Sequence, residues 1–124
     1  MLSRFPIISS DHLDFGFGLL SDSIAMKGAL YAKIDISGKL LHLFTTHLQA
    51  SYPGLSLADF KATLRCRLEQ VLMLREFIIS KTGLPNLPDD ELVILAGDMN
   101  VNGCDDKRHR KMRELSVLQD LKPP

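Results

Sequence analysis

The sequence has no surplus of charge of either sign: across 124 residues, Lys plus Arg and Asp plus Glu number 15 each. Nucleic acid and anionic membrane surfaces are held by an excess of basic groups, so neither receives a strong electrostatic pull here. Cysteine is scarce. The two present, Cys66 and Cys104, are too far apart for metal-ligand spacings such as C-x-x-C, and two free thiols in a reducing compartment are the expectation. No apolar run approaches the roughly 18 residues of a membrane span. The opening Met1-Leu2-Ser3-Arg4-Phe5-Pro6 lacks the apolar stretch and small-residue cleavage site of a signal peptide. Any membrane contact is therefore expected to be peripheral or to come from other sequence. Internal repeats and low-complexity tracts are also missing. With 45% hydrophobic and 24% charged residues, the balance is that of one globular domain with a modest core, not of a disordered chain.

What is present reads as alternating strands and helices. Residues 1–8 hold a short apolar run broken by Pro6, which reads as a strand end or an edge strand. Residues 9–26 mix Ser, Asp, Gly and aromatics and read as a long loop, of the kind that is functional or mobile. Leu30, Ala32, Ile34 and Ile36 alternate with Tyr31, Lys33 and Asp35, the period of a strand with one buried face. Ser37-Gly38-Lys39 supplies a turn, and Leu40 to Thr46 returns as the second strand of a hairpin. Leu43, Thr45 and His47 should then share one face, with His42, Phe44 and Thr46 on the other. From Leu57 to Ser80 the period lengthens. Phe60, Leu64, Leu68, Val71, Leu74 and Ile78 form the stripe of an amphipathic helix. Ser56 with Asp59 is placed to cap its start, and Gly83 with Pro85 to end it. Leu92-Val93-Ile94-Leu95-Ala96 reads as a strand buried on both faces. A further helix is expected after Asp105, on Met112, Leu115 and Leu118. Strand, hairpin, helix, buried strand, helix is an α/β order with mixed strand directions.

Two segments carry residues suited to chemistry. Thr46-His47-Leu48-Gln49-Ala50 places an imidazole where a strand runs into a loop. Gly97-Asp98-Met99-Asn100 places an acid and an amide two positions apart at the end of a strand. Strand ends at a sheet edge are the usual ligand position in α/β folds. In an extended backbone Asp98 and Asn100 would point to the same side and Met99 into the packing. A carboxylate and an amide oxygen together suit Mg²⁺ or a metal-bound water, with the amide NH₂ left for a phosphate oxygen. A nearby imidazole can bond a developing oxyanion or carry a proton. Taken singly, each segment is equally compatible with a polar strand end or an ordinary turn. His42 is expected to face away from His47. His109 lies in the charged run Lys107–Lys111, which reads as a solvated helix face.

The motifs gain weight in combination. Leu2-Ser3-Arg4-Phe5-Pro6-Ile7 resembles an S-[RK]-[YFW]-P-I segment, and Lys27-Gly28-Ala29-Leu30 a "KG" strand start. Thr46 to Ala50 resembles T-H-L-x-A, Arg67-Leu68-Glu69-Gln70 an R-x-x-Q helix signature, and Gly97 to Asn102 a G-D-[MF]-N motif. In this order they resemble the endonuclease/exonuclease/phosphatase superfamily, and within it the neutral sphingomyelinases. The resemblance runs from Leu2 to at least Asn102. It implies an α/β fold that is part of a deoxyribonuclease-I-like four-layer α/β/β/α sandwich with mixed sheets. It implies a Mg²⁺-dependent hydrolase acting on the phospholipid sphingomyelin to release ceramide and phosphocholine. His47 would stabilise charge on the phosphate, while Asp98 and Asn100 would align the attacking water and take part in metal binding. Arg67 and Gln70 would brace the helix against the sheet, and Lys27 and Gly28 would shape the neighbouring strand.

Family members also carry an early asparagine and a metal-anchoring glutamate, upstream of the S-R-F-P-I segment, and close on an S-D-H motif whose histidine is the general base. Residues 1–124 are therefore expected to be a partial domain, nearly inactive alone, with an apolar sheet face left uncovered. Ser10-Asp11-His12 spells the closing motif in the wrong place and reads as coincidence. The alternatives are a non-catalytic truncated remnant, or a nuclease or phosphoinositide phosphatase of the same fold.

Overall fold

The computed structural model describes residues 1–16 and 18–101. They form four strands, a single helical turn and one long helix, in the order β1 (Ile7–Asp14), the 3₁₀ turn Leu20–Ser23, β2 (Gly28–Ile36), β3 (Lys39–His47), α1 (Leu57–Thr82) and β4 (Glu91–Asp98). The strands make one mixed sheet in the order β1-β2-β3-β4. β2 runs antiparallel to both β1 and β3, whereas β4 returns through α1 to lie parallel to β3. The expected mixed α/β arrangement is what forms. The helix expected after Asp105, along with Cys104 and His109, lies outside the described residues.

The β2–β3 hairpin follows from its turn chemistry. Ser37 (φ 55°) and Gly38 (φ 91°) both sit in the left-handed region, the geometry of a two-residue turn whose twist matches the flanking strands. The Asp35 carboxylate accepts from the Gly38 amide at 2.7 Å and closes it. Helix α1 is bounded as its caps dictate. Ser56 Oγ accepts from the Asp59 amide at the start, and Gly83 (φ 73°) ends the helix by donating to Ile79 O.

One face of the sheet is covered by α1. Val71, Leu74, Phe77 and Ile78 from the helix pack on Ala29, Tyr31, Phe44 and Leu48 from the sheet side. The rings of Phe44 and Phe77 meet edge-on at 5.8 Å, and Tyr31 lies 4.8 Å from Phe44. Toward its N-terminus the buried line of the helix turns polar. Thr63, Arg67 and Gln70 occupy it, while Phe60, Leu64 and Leu68 are only half-buried. The expected apolar stripe therefore holds from Val71 onward and gives way before it. The cause is local: that end of the helix meets main-chain loops that need donors and acceptors.

Two expectations are corrected. Residues 9–14 are strand, not loop: β1 pairs with β2 from Ile7↔Ile34 to Asp14↔Gly28, with a bulge after Ile7. It is an edge strand, exposed along almost its whole length. Ladder hydrogen bonds rather than burial hold it, so no hydrophobic alternation announces it. Ser10-Asp11-His12 lies in the middle of this strand, where Asp11 pairs with Lys81 of α1. The second correction concerns β4. Val93 and Leu95 pack toward the core, but Leu92 and Ile94 are 60% and 46% exposed. Among the described residues β4 is an edge strand, and α1 covers only one side of it. Leu30, Leu92 and Ile94 thus lie on an open apolar face of the sheet. No helix among the described residues is long and apolar enough to cross a membrane.

Candidate active site

The parallel ladder between β3 and β4 ends on the pair His47↔Asp98. Residues in register on neighbouring strands project to the same side, so the imidazole and carboxylate stand together on the face opposite α1. Nε2 of His47 is 3.8 Å from Oδ2 of Asp98, and the side chains are 60% and 65% exposed. His42, Phe44 and Thr46 project to the helix side, as the alternation predicts.

The approach of the two strand ends depends on Gly97. A Cβ at this position would lie 2.0 Å from Thr46 O, and the backbone φ of 148° disfavours any side chain. One residue further on, the Leu48 amide donates to Asp98 O at 2.9 Å and extends the pairing past the strands.

Asn100 does not continue the extended backbone. Its φ is 51°, its amide donates to Asp98 Oδ1 at 2.8 Å, and Nδ2 donates to Leu48 O at 2.8 Å. The left-handed step turns the side chain toward the residue that follows His47, so the amide NH₂ is partly engaged rather than wholly free. Met99 packs toward the core as expected. His47 and Asp98 are thus brought side by side, and Asn100 is tied to the loop that leaves His47.

A buried polar layer supports that loop. Lys27 Nζ donates to Leu48 O at 2.7 Å and pairs with Asp22 at 2.7 Å, both side chains 7% exposed. The Asp22 carboxylate also accepts from the Ala50 amide and the Tyr52 hydroxyl. Burial pushes the Asp22 carboxyl up, but the Lys27 ammonium, the Ala50 amide and Tyr52 outweigh it and hold it below the usual carboxylate value. Gln49 is wholly buried; its side chain exchanges hydrogen bonds with the Leu19 backbone, and its amide donates to Gln70 Oε1. Arg67 spans both loops: Nη1 reaches Gln49 O and Asn100 O, and Nη2 reaches Ser51 Oγ. Arg67 and Gln70 brace the helix against these loops, not against the sheet as expected, because their partners Gln49, Ser51 and Asn100 lie beyond the strand ends. Lys27 does more than open a strand.

Asp22 and Gln49 were not singled out by sequence reasoning. In a Ser- and Asp-rich stretch Asp22 looks like any turn residue, and Gln49 has no residue-type signal.

The remaining candidates fall elsewhere. His42 is buried between Tyr31 Oη at 3.0 Å and Glu91 at 2.5 Å, behind the sheet from His47. Burial and the neighbouring Glu69 raise the pKa of the Cys66 thiol, which makes it a poor nucleophile. Among the described residues no group of three His, Cys, Asp or Glu side chains could hold a metal ion. Asp98 Oδ2 and the Asn100 amide oxygen accept no hydrogen bond from a described residue. As hard oxygen donors at one exposed strand end they suit part of the shell of a hard divalent cation, which takes about six such ligands.

No family model matches the sequence. A sphingomyelinase of Dictyostelium discoideum is 37% identical over 126 aligned positions, covering 83% of this chain and 26% of the relative. Sphingomyelinase C of Bacillus cereus is 30% identical over 98% of this chain and 34% of its own length. Among solved structures, beta toxin from Staphylococcus aureus, a double mutant with bound magnesium ions, superposes with a TM-score of 0.73. Its sequence identity is 29%, over 92% of this chain and 37% of that one. The chain therefore spans about a quarter to a third of the length of the curated relatives it matches.

Proposed function

The chain belongs to the endonuclease/exonuclease/phosphatase superfamily, on its sphingomyelinase side, and from that premise we propose that it carries part of the active site of a Mg²⁺-dependent sphingomyelin phosphodiesterase. The observation behind this reading is the terminal His47↔Asp98 pair, exposed at the carboxyl ends of two parallel strands with Asn100 beside it. Such strand ends are where α/β sheets bind ligands.

The reaction is hydrolysis of a phosphodiester. A water oxygen bonds to phosphorus, the bond from phosphorus to the ceramide oxygen breaks, and that oxygen leaves with a proton. His47 donates a hydrogen bond to a phosphoryl oxygen and stabilises the negative charge that grows there. Asp98 accepts a hydrogen bond from the attacking water and orients it. Asn100 keeps one amide hydrogen on Leu48 O and offers the other to the phosphate. Asp98 and the Asn100 oxygen would contribute to holding magnesium. When bound, the ion polarises the phosphoryl group and makes water easier to deprotonate. The phospholipid substrate makes peripheral contact with a membrane part of the same reading.

The test uses the full-length gene product with sphingomyelin and Mg²⁺. His47→Ala and Asp98→Ala should each lower turnover by about 10²–10⁴-fold, the range for removing a general acid–base or oxyanion partner, while the melting temperature stays near wild type. Undiminished turnover in both variants would remove these residues from the mechanism.

A further inference from the structure

Among the described residues, Arg67 is the one side chain that bonds the main chain of both loops bearing the proposed site. It projects from the polar end of the buried face of α1 and is 4% exposed. Nη1 donates to Gln49 O at 2.8 Å and to Asn100 O at 2.5 Å, and Nη2 donates to Ser51 Oγ at 2.7 Å. Gln49 lies two residues after His47, and Asn100 two residues after Asp98. One nitrogen therefore bridges the segments that leave β3 and β4, beyond the point where Leu48 N–Asp98 O and Asn100 Nδ2–Leu48 O join them directly.

It acts at a place where backbone energy is finely balanced. Asn100 is the only residue after β4 among those described with a left-handed φ, 51°. Asparagine tolerates that conformation at some cost. The bond from Arg67 to Asn100 O fixes the orientation of the following peptide plane, Asp98 Oδ1 holds the amide before it, and Leu48 O holds its side chain. Carbonyl, amide and side chain of Asn100 are thus each anchored. The cost of supplying this anchor is visible: burial lowers the Arg67 pKa, Nε has no partner among the described residues, and the described partners of the guanidinium are neutral oxygens. A packing role alone would be met by an apolar side chain.

We propose that Arg67 is a positioning residue for phosphodiester hydrolysis, clamping the His47 and Asn100 loops at one separation and holding Asn100 in its left-handed state. This rests on the reading of His47, Asp98 and Asn100 as the reacting site. Arg67 touches neither substrate nor metal. Its planar fork reaches three oxygens from one fixed orientation, which a lysine ammonium on a flexible stem does not reproduce.

The test compares Arg67→Lys and Arg67→Gln with wild type in the full-length protein. Turnover with sphingomyelin, the Mg²⁺ concentration for half-maximal rate and the melting temperature are measured together. In addition, NMR with selectively labelled asparagine reads the φ of Asn100 through its amide–α-proton coupling and Cα shift. Arg67→Lys should keep the melting transition, lower kcat by about 10–100-fold, the scale for a displacement of roughly 1 Å at a site, leave KM within twofold, and raise the Mg²⁺ requirement. Its Asn100 coupling should move out of the left-handed range. Should Arg67→Gln fail to fold, Arg67→Lys carries the test alone. An unchanged Asn100 coupling with kcat within twofold of wild type would overturn the proposal. If wild type hydrolyses no sphingomyelin, the functional reading fails, and the Asn100 coupling still decides whether Arg67 sets the loop.

Discussion

Single residues in this chain are defined by partners far away in sequence. Lys27 is a case in point: its ammonium is enclosed by Asp22 and Leu48 O. Lys27→Met would leave the Asp22 carboxylate buried without its cation, which costs about 3–5 kcal/mol in comparable sites. Urea denaturation of the full-length protein should show that loss, and a midpoint within error of wild type would contradict it. Glu91 offers a second residue-scale prediction. The hydrogen bond from His42 lowers its pKa from the usual carboxylate value; burial opposes the shift, and Lys33 adds to it. A carboxylate depressed by folding stabilises the native state above its unfolded pKa, and that contribution is lost as pH falls through the folded value. Wild type should therefore lose more melting temperature than Glu91→Gln between about pH 4.5 and 3, the window below the usual carboxylate value. Parallel curves would remove Glu91 from the balance. Which residues could serve the chemistry was legible at this scale, because His47, Asp98 and Asn100 stand at motif positions. The buried supports were not: nothing local distinguishes Asp22 or Gln49 from a turn residue, and their role exists only once distant loops meet.

At the scale of elements, periodicity located what is half-buried and missed what is not. The hairpin, α1 and β4 announce themselves because each carries an apolar face and turn or cap residues at its ends. β1 carries neither, and only its ladder to β2 makes it a strand. The continuous apolar run of β4 read as two-sided burial, yet one of its sides is open. The contact between β3 and β4 gives the element-scale prediction. Gly97→Ala would drive a methyl group into Thr46 O, so the strand ends must part or the backbone must strain. A loss of about 1–3 kcal/mol is the usual scale for overpacking. Turnover should fall more than stability does, since His47 and Asp98 form the next pair along. A fully active Gly97→Ala protein would show that the close approach does not matter.

At the largest scale, the described residues form a sheet with one face covered by α1. α1 shields Tyr31, Phe44 and Leu48, while Leu30, Leu92 and Ile94 lie exposed on the other side. An apolar sheet face with an open edge invites association. The 124-residue chain made on its own should therefore self-associate and lack a cooperative monomeric melt. Leu92→Lys with Ile94→Lys should return it to monomer by sedimentation. A wild-type chain that stays monomeric and melts in one sharp transition would contradict this. The α/β class with mixed strands was legible from element order alone.

The oxygen of Leu48 has a consequence of its own. It receives Lys27 from one segment and Asn100 from another, so a keystone of the architecture is a main-chain atom that no codon can alter. Inheritance can act on it only through its two donors. Exchanging Lys27 leaves this oxygen to Asn100, and exchanging Asn100 leaves it to Lys27, so each change removes one of its two hydrogen bonds and leaves the other standing.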